Sequence, residues 1–148
     1  FNEKIASPFP NSETVAIHVR RGSHLRNPHY HGSCDAKYFH ESIAMFDGDF
    51  IFVVFSDDME WCKSNFCGQR FIFVENQEDY EDLYYMSLCD HNIICNSTFS
   101  WWSAWLNKNN NKKVISPKKW FGPGYASHNL SDLIPKGWVI IDNELEGE

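Results

Sequence analysis

The chain has 148 residues, enough for one domain that buries ~68–70% of its unfolded surface without disulfide or metal staples. Hydrophobic residues at 43% and aromatics at 16% are the composition of a dense core and exclude a disordered chain. A net charge of −7 excludes a general nucleic-acid binder, so an anionic ligand has to be caught by a local focus of positive charge.

Taken in chain order, Thr14 to Arg20 is the first strand, ended by Gly22, and Asp35 to Met45 is a helix. Phe50 to Phe55 is a strongly β-prone run. Ser56-Asp57-Asp58 then opens a helix, with Ser56 as the cap and the two aspartates in the first turn. Arg70 to Glu75 is a strand and Glu78 to Cys89 a helix; His91 to Cys95 is a strand and Phe99 to Lys108 the helix after it. Lys113 to Ser116 and Trp138 to Asp142 close the series as strands. Strand and helix alternate, and the strands are continuous apolar runs. The fold class is therefore α/β, a Rossmann-like parallel sheet covered by helices on both faces. Residues 1–148 form a single domain, in which Pro117 to Gly137 is a long loop of the kind that is often functional.

The longest purely apolar run, Phe50 to Phe55, is too short to span a bilayer, so no transmembrane segment is expected in this chain. No signal peptide or lipidation motif is visible, and the opening on Phe1 rather than Met fits a fragment. Five cysteines without a C-x-x-C pair read as mostly reduced, buried small hydrophobes. Asn96-Ser97-Thr98 matches the glycosylation pattern, but a glycan there would block the corner described next, so the match is by chance.

Two stretches carry chemistry. In Ile93-Ile94-Cys95-Asn96-Ser97-Thr98-Phe99-Ser100-Trp101-Trp102 a buried strand runs into a hydroxyl cluster where the next helix begins. That corner of an open α/β sheet offers free backbone N–H groups and the positive end of a helix dipole, which suit a phosphate. Ser97 or Thr98 as a simple helix cap is the competing reading, and the two roles are compatible. In His18-Val19-Arg20-Arg21, alternation puts His18 and Arg20 on one face and Val19 and Arg21 on the other. Adjacent arginines at the carboxyl end of a strand suit bidentate phosphate binding; structural ion pairs in an acidic chain are the alternative. Ser56-Asp57-Asp58 and His29-x-His31 are weighed as metal sites, but capping and a solvated loop explain them better, and no metal is assigned. Asp82 precedes an apolar helix face and can project into a cleft. Trp101, Trp102 and Trp105 read as the face that fixes their helix against the sheet. The chain has no P-loop, G-x-G-x-x-G or G-x-S-x-G pattern.

His18-Val19-Arg20-Arg21-Gly22 resembles the H-x-R-R-G-D motif of glycosyltransferase family 11, the α-1,2-fucosyltransferases. The segment from Asp79 to Leu106, with Asn96 to Trp102 at its centre, resembles the most specific stretch of that family, and Ser116 to Phe121 its P-K-x-W segment. The resemblance runs from Val15 to Asp142. It implies the donor-binding half of a GT-B enzyme that transfers L-fucose from GDP-fucose, with inversion and without metal or other cofactor, to a glycan acceptor with terminal galactose. Arg20 is then the catalytic contact to the β-phosphate, Arg21 its supporting neighbour and His18 a nucleotide contact. Asp82 falls on the guanine-binding aspartate, and Ser97, Thr98 and Ser100 on the phosphate side of the pocket. Ser23 stands where the family usually has Asp. The chain is about half the length the resemblance leads one to expect, and the N-terminal, acceptor-facing lobe is the part not represented. A non-catalytic nucleotide-sugar binding or regulatory module is the alternative function. A bacterial-type chain would work in the cytoplasm or at the inner-membrane periphery, a eukaryotic one in the Golgi lumen.

Overall fold

A computed structural model describes residues 11–32 and 34–143. Six strands form one parallel sheet in the order β3-β2-β1-β4-β5-β6, where β1 is Glu13–Val19, β2 Phe50–Ser56, β3 Phe71–Phe73, β4 His91–Ile93, β5 Val114–Pro117 and β6 Val139–Ile141. The helices are α1 Gly22–Arg26, α2 Ala36–Ala44, α3 Met59–Asn65, α4 Asp79–Leu88 and α5 Thr98–Leu106. This is the expected Rossmann-like α/β arrangement. None of the helices is long and apolar enough to cross a membrane among the described residues.

Strand alternation sorts the core into two layers. Val15, Ile17 and Val19 of β1 pack with Tyr38 and Phe39 of α2 and with Trp61 and Cys62 of α3. Ala16 faces the opposite side, with Ile51, Val53 and Phe55 of β2, Tyr85 and Met86 of α4 and Phe99 of α5. That alternation carries past the end of β1: the even-numbered His18 and Arg20 emerge on the α4/α5 side, the odd-numbered Arg21 on the α3 side. β1 and β4 are adjacent, yet the chain travels outward from β1 to β2 and β3 before returning to β4. The gap between the carboxyl ends of β1 and β4 is thus the topological switch point, where open α/β sheets place ligands.

Local signals set the helix starts. Asp35 caps α2 by accepting the Tyr38 N–H at 2.8 Å, and Glu78 with Glu81 forms a capping box on α4. α3 departs from expectation: its cap is Asp58, which accepts the Trp61 N–H at 3.1 Å, while Ser56 Oγ accepts the Asp58 N–H at 2.9 Å. The short α1 escapes the sequence reading because its five residues carry neither an apolar period nor a side-chain cap.

The tryptophans also depart from expectation. The sheet-facing side of α5 is made of Ser100, Ser103 and Ala104, small residues that let the helix backbone approach the strands. Trp102 and Trp105 are 50% and 53% exposed. Trp101 donates its indole N–H to the Leu133 carbonyl at 2.8 Å and contacts the rings of Trp105 and Trp138. It also packs against the cluster of Ile94, Ala104, Val114 and Trp120, so it ties the 117–137 segment to α5 and helps seat α5 on the sheet.

That segment is only partly irregular, with a 3-10 turn at Pro123–Tyr125. It packs against the 27–32 loop, where Gly122 N–H meets Tyr30 O at 3.1 Å and Gly124 N–H meets His29 O at 2.8 Å. Asn96 joins the two: its buried amide donates to Gly32 O at 2.6 Å and Trp120 O at 2.9 Å. An Asn96 nitrogen held this way is not presented for glycosylation. Cys34, Cys62, Cys89 and Cys95 are free and buried, and Cys67 is free and exposed.

Candidate active site

A cleft of about 350 Å³ opens at the switch point, lined by His18, Arg20, Ser56, Asp57, Asp79, Asp82, Ser97, Thr98 and Phe99. It gathers the ends of β1 and β2 and the starts of α4 and α5.

Arg20 supplies the positive side. Its Nη1 lies 3.4 Å from Asp57 Oδ2 and its side chain is 43% exposed, so the guanidinium keeps donors for a ligand. Asp57 also accepts the backbone N–H groups of Arg21 and Gly22, at 2.9 and 3.0 Å, and so fixes the turn out of β1. A Cβ on Gly22 would stand 2.8 Å from Asp57 Oδ2, so a side chain there would push this carboxylate away. The start of α5 adds backbone donors. Ser97 is its N-cap residue but makes no side-chain cap bond, so the hydroxyl is not spent on the helix. The first N–H groups of α5 have no intrahelical acceptor, as in any helix, and here the cleft lies in front of them.

The lining also carries carboxylates, Asp57, Asp79 and Asp82. Asp82 Oδ1 is buried without a hydrogen-bond partner, the condition of an acceptor awaiting a donor. Burial, and then the neighbouring Asp79 and Glu81 carboxylates, raise its pKa to about 6. His18 contacts the Phe99 ring at 5.3 Å between centroids, and burial lowers its pKa to about 4, so the imidazole is neutral at physiological pH.

His18, Arg20, Asp82, Ser97 and Thr98 thus meet in one cleft. Arg21 and Ser100 do not join them. Arg21 turns to the α3 side, where Nε is 3.2 Å from Asp58 Oδ2 and the guanidinium lies 4.2 Å from the Trp61 ring centre. Ser100 is fully buried beneath the corner, its Oγ accepting the Cys95 N–H at 3.1 Å. Asp79 and Phe99 line the cleft without having been singled out, and so do Ser56 and Asp57, which the sequence reading assigned to a helix start. The usable signal for Asp57 was its place just past a β-prone run, at the carboxyl edge of the sheet. The 117–137 segment contributes none of the lining residues.

A parallel sheet with a cleft at its switch point defines a Rossmann-like α/β domain. Residues 7–142 match Glycosyl transferase family 11, and the chain belongs to that family. It is similar to the O-antigen biosynthesis glycosyltransferase WbnK of Escherichia coli, 39% identical over 141 residues, covering 88% of this chain and 45% of the relative. It is also similar to an alpha-1,2-colitosyltransferase of Escherichia coli, 35% identical over 143 residues, covering 88% of this chain and 48% of the relative. Galactoside alpha-(1,2)-fucosyltransferase 1 of Lagothrix lagotricha is 29% identical over 152 residues, covering 86% and 41% of the two chains. The chain spans a little under half the length of these curated relatives. No solved structure matches it.

Proposed function

We propose that this chain holds the donor of a fucosyltransferase: GDP-fucose, with the diphosphate between Arg20 and the start of α5 and the guanine at Asp82. One observation carries the reading: the cleft offers both donors for an anion and an acceptor for N–H groups. A partly exposed guanidinium and free helix N–H groups line it together with an unpartnered buried carboxylate oxygen. A guanine nucleotide carries the matching pair, anionic phosphates at one end and N–H donors on the base at the other.

In the proposed reaction an acceptor hydroxyl of a terminal galactose attacks C1 of fucose from the face opposite GDP. The C1–O bond to the β-phosphate breaks, its electron pair leaves on GDP, the acceptor hydroxyl gives up its proton to solvent, and the anomeric centre inverts. Arg20 and the α5 N–H groups stabilise that growing charge. Losing one such preorganised donor typically costs about 3–4 kcal/mol in the barrier. Arginine thereby takes the part a divalent cation plays in other transferases. The nearby aspartates are already engaged: Asp57 by two backbone N–H groups, Asp58 by Arg21 and the cap of α3. The names of the relatives, a colitosyltransferase and a galactoside alpha-(1,2)-fucosyltransferase, support a 6-deoxy-sugar donor and an α-1,2 linkage.

Calorimetric titration with GDP, GDP-fucose and UDP, repeated on Arg20→Ala, tests the donor site. Selective binding of the guanine ligands, lost in the variant, is expected; equal or absent binding of all three refutes it. A second reading, a nucleotide-sugar-binding module without turnover, follows from the same cleft because the lining side chains assigned above all serve the donor. Release of GDP from GDP-fucose on adding a terminal galactoside, unaffected by EDTA, separates the two.

A further inference from the structure

We propose that the Cys95 thiol sets the tautomer of His18, holding Nδ1 unprotonated so that Nε2–H faces the cleft as a hydrogen-bond donor. Cys95 Sγ is 3.4 Å from His18 Nδ1, with both side chains buried. In a neutral imidazole one ring nitrogen donates and the other accepts, and the partner of one decides the state of the other. The roles at this contact follow from the hydrogen-bonding strengths of the two groups: a thiol sulfur is a weak acceptor and an unprotonated imidazole nitrogen a strong one. The sulfur's own hydrogen needs an acceptor, because burial pushes the thiol up to about 12 and keeps it protonated. Nδ1 is the acceptor at hand.

The arrangement also accounts for Ser100, which the cleft does not contain. Its Oγ accepts the Cys95 N–H and so holds the backbone of the residue whose sulfur meets His18, which links the α5 corner to the cleft wall through Ser100, Cys95 and His18. Cys95 is thus a positioning residue. What the Nε2 proton is for, a bond to a donor phosphate oxygen, rests on the donor-site reading above.

Long-range proton–nitrogen spectra of the ligand-free chain show which His18 nitrogen carries the proton. Nε2–H is expected in the wild type at neutral pH and in Cys95→Ser, whose hydroxyl still donates. In Cys95→Ala the Nδ1–H form is expected to appear. GDP-fucose affinity by calorimetry should fall roughly three- to tenfold in Cys95→Ala, the worth of one hydrogen bond, and recover in Cys95→Ser. A wild-type ring protonated at Nδ1, or a Cys95→Ala ring spectrum like the wild type, overturns the proposal. Should Cys95→Ala not fold, the wild-type and Cys95→Ser spectra still decide. The spectra need no ligand, so a chain with Nε2–H that fails to bind GDP-fucose would defeat the donor-site reading and leave the tautomer assignment standing.

Discussion

Arg20 Nη1 stands 3.4 Å from Asp57 Oδ2, and the same carboxylate holds the backbone of the two residues that follow Arg20. One side chain just past β2 therefore fixes both the turn out of β1 and the side from which the guanidinium is approached. Asp57→Ala removes the acceptor for two N–H groups and should lower stability by about 1–2 kcal/mol. Asp57→Asn keeps one oxygen and should lose about half of that. Urea unfolding checks both, and an Asp57→Ala midpoint equal to wild type would dismiss the clamp.

Chain order alone conveyed most of this frame. The alternation of apolar runs and caps gives the parallel sheet, and period-2 alternation puts His18 and Arg20 together with Arg21 turned away. The Asp57 clamp was not legible, since its partners lie 35 and 36 residues away and Ser56-Asp57-Asp58 satisfies the local rules for a cap. The tryptophans of α5 misled for another reason. Hydrophobicity says that a large ring is to be covered but not by what: Trp102 and Trp105 stay half-exposed, and Trp101 is shared between the sheet-side cluster and the 117–137 segment.

That difference among the rings is measurable. Trp101→Phe should cost about 1 kcal/mol through the lost bond to the Leu133 carbonyl. Trp101→Ala should cost about 3 kcal/mol and expose the 117–137 segment to limited proteolysis. Trp102→Ala, at a half-exposed position, should stay within about 0.5 kcal/mol of wild type. Comparable losses at Trp101 and Trp102 would restore the view that the rings together fix α5 to the sheet.

Acid should weaken the fold. Burial lowers the His18 pKa from the usual 6.5 to about 4, and His24 is lowered by burial and by the neighbouring His31. Because these bases take up protons first in the unfolded chain, the stability they contribute is whole above 6.5 and is lost as pH falls toward about 4. Asp82 acts in the opposite sense: raised from 3.8 to about 6, it is protonated first in the folded chain, so its contribution grows as pH falls through that range. Two buried histidines outweigh one half-buried carboxyl, so the urea midpoint should drop on acidification and drop more steeply in Asp82→Asn. A shallower decline in that variant would reverse the sign assigned to Asp82.

The same carboxyl should make donor binding pH-dependent. An ionised Asp82 accepts the N–H groups of a guanine, and a protonated one cannot accept them as a pair, so affinity should fall as pH drops through about 6. GDP-fucose is the ligand for this test because its diphosphate is esterified at both ends, whereas the terminal phosphate of GDP titrates in the same range. His18, with its pKa near 4, stays neutral there and adds no slope. The association constant should lose up to about tenfold per pH unit below that point, since one proton competes with one ligand. Asp82→Asn should bind GDP-fucose more weakly at neutral pH, with no such slope. Calorimetry between neutral pH and the pH at which the fold begins to loosen supplies the comparison, and an equal slope in the variant would remove guanine from Asp82.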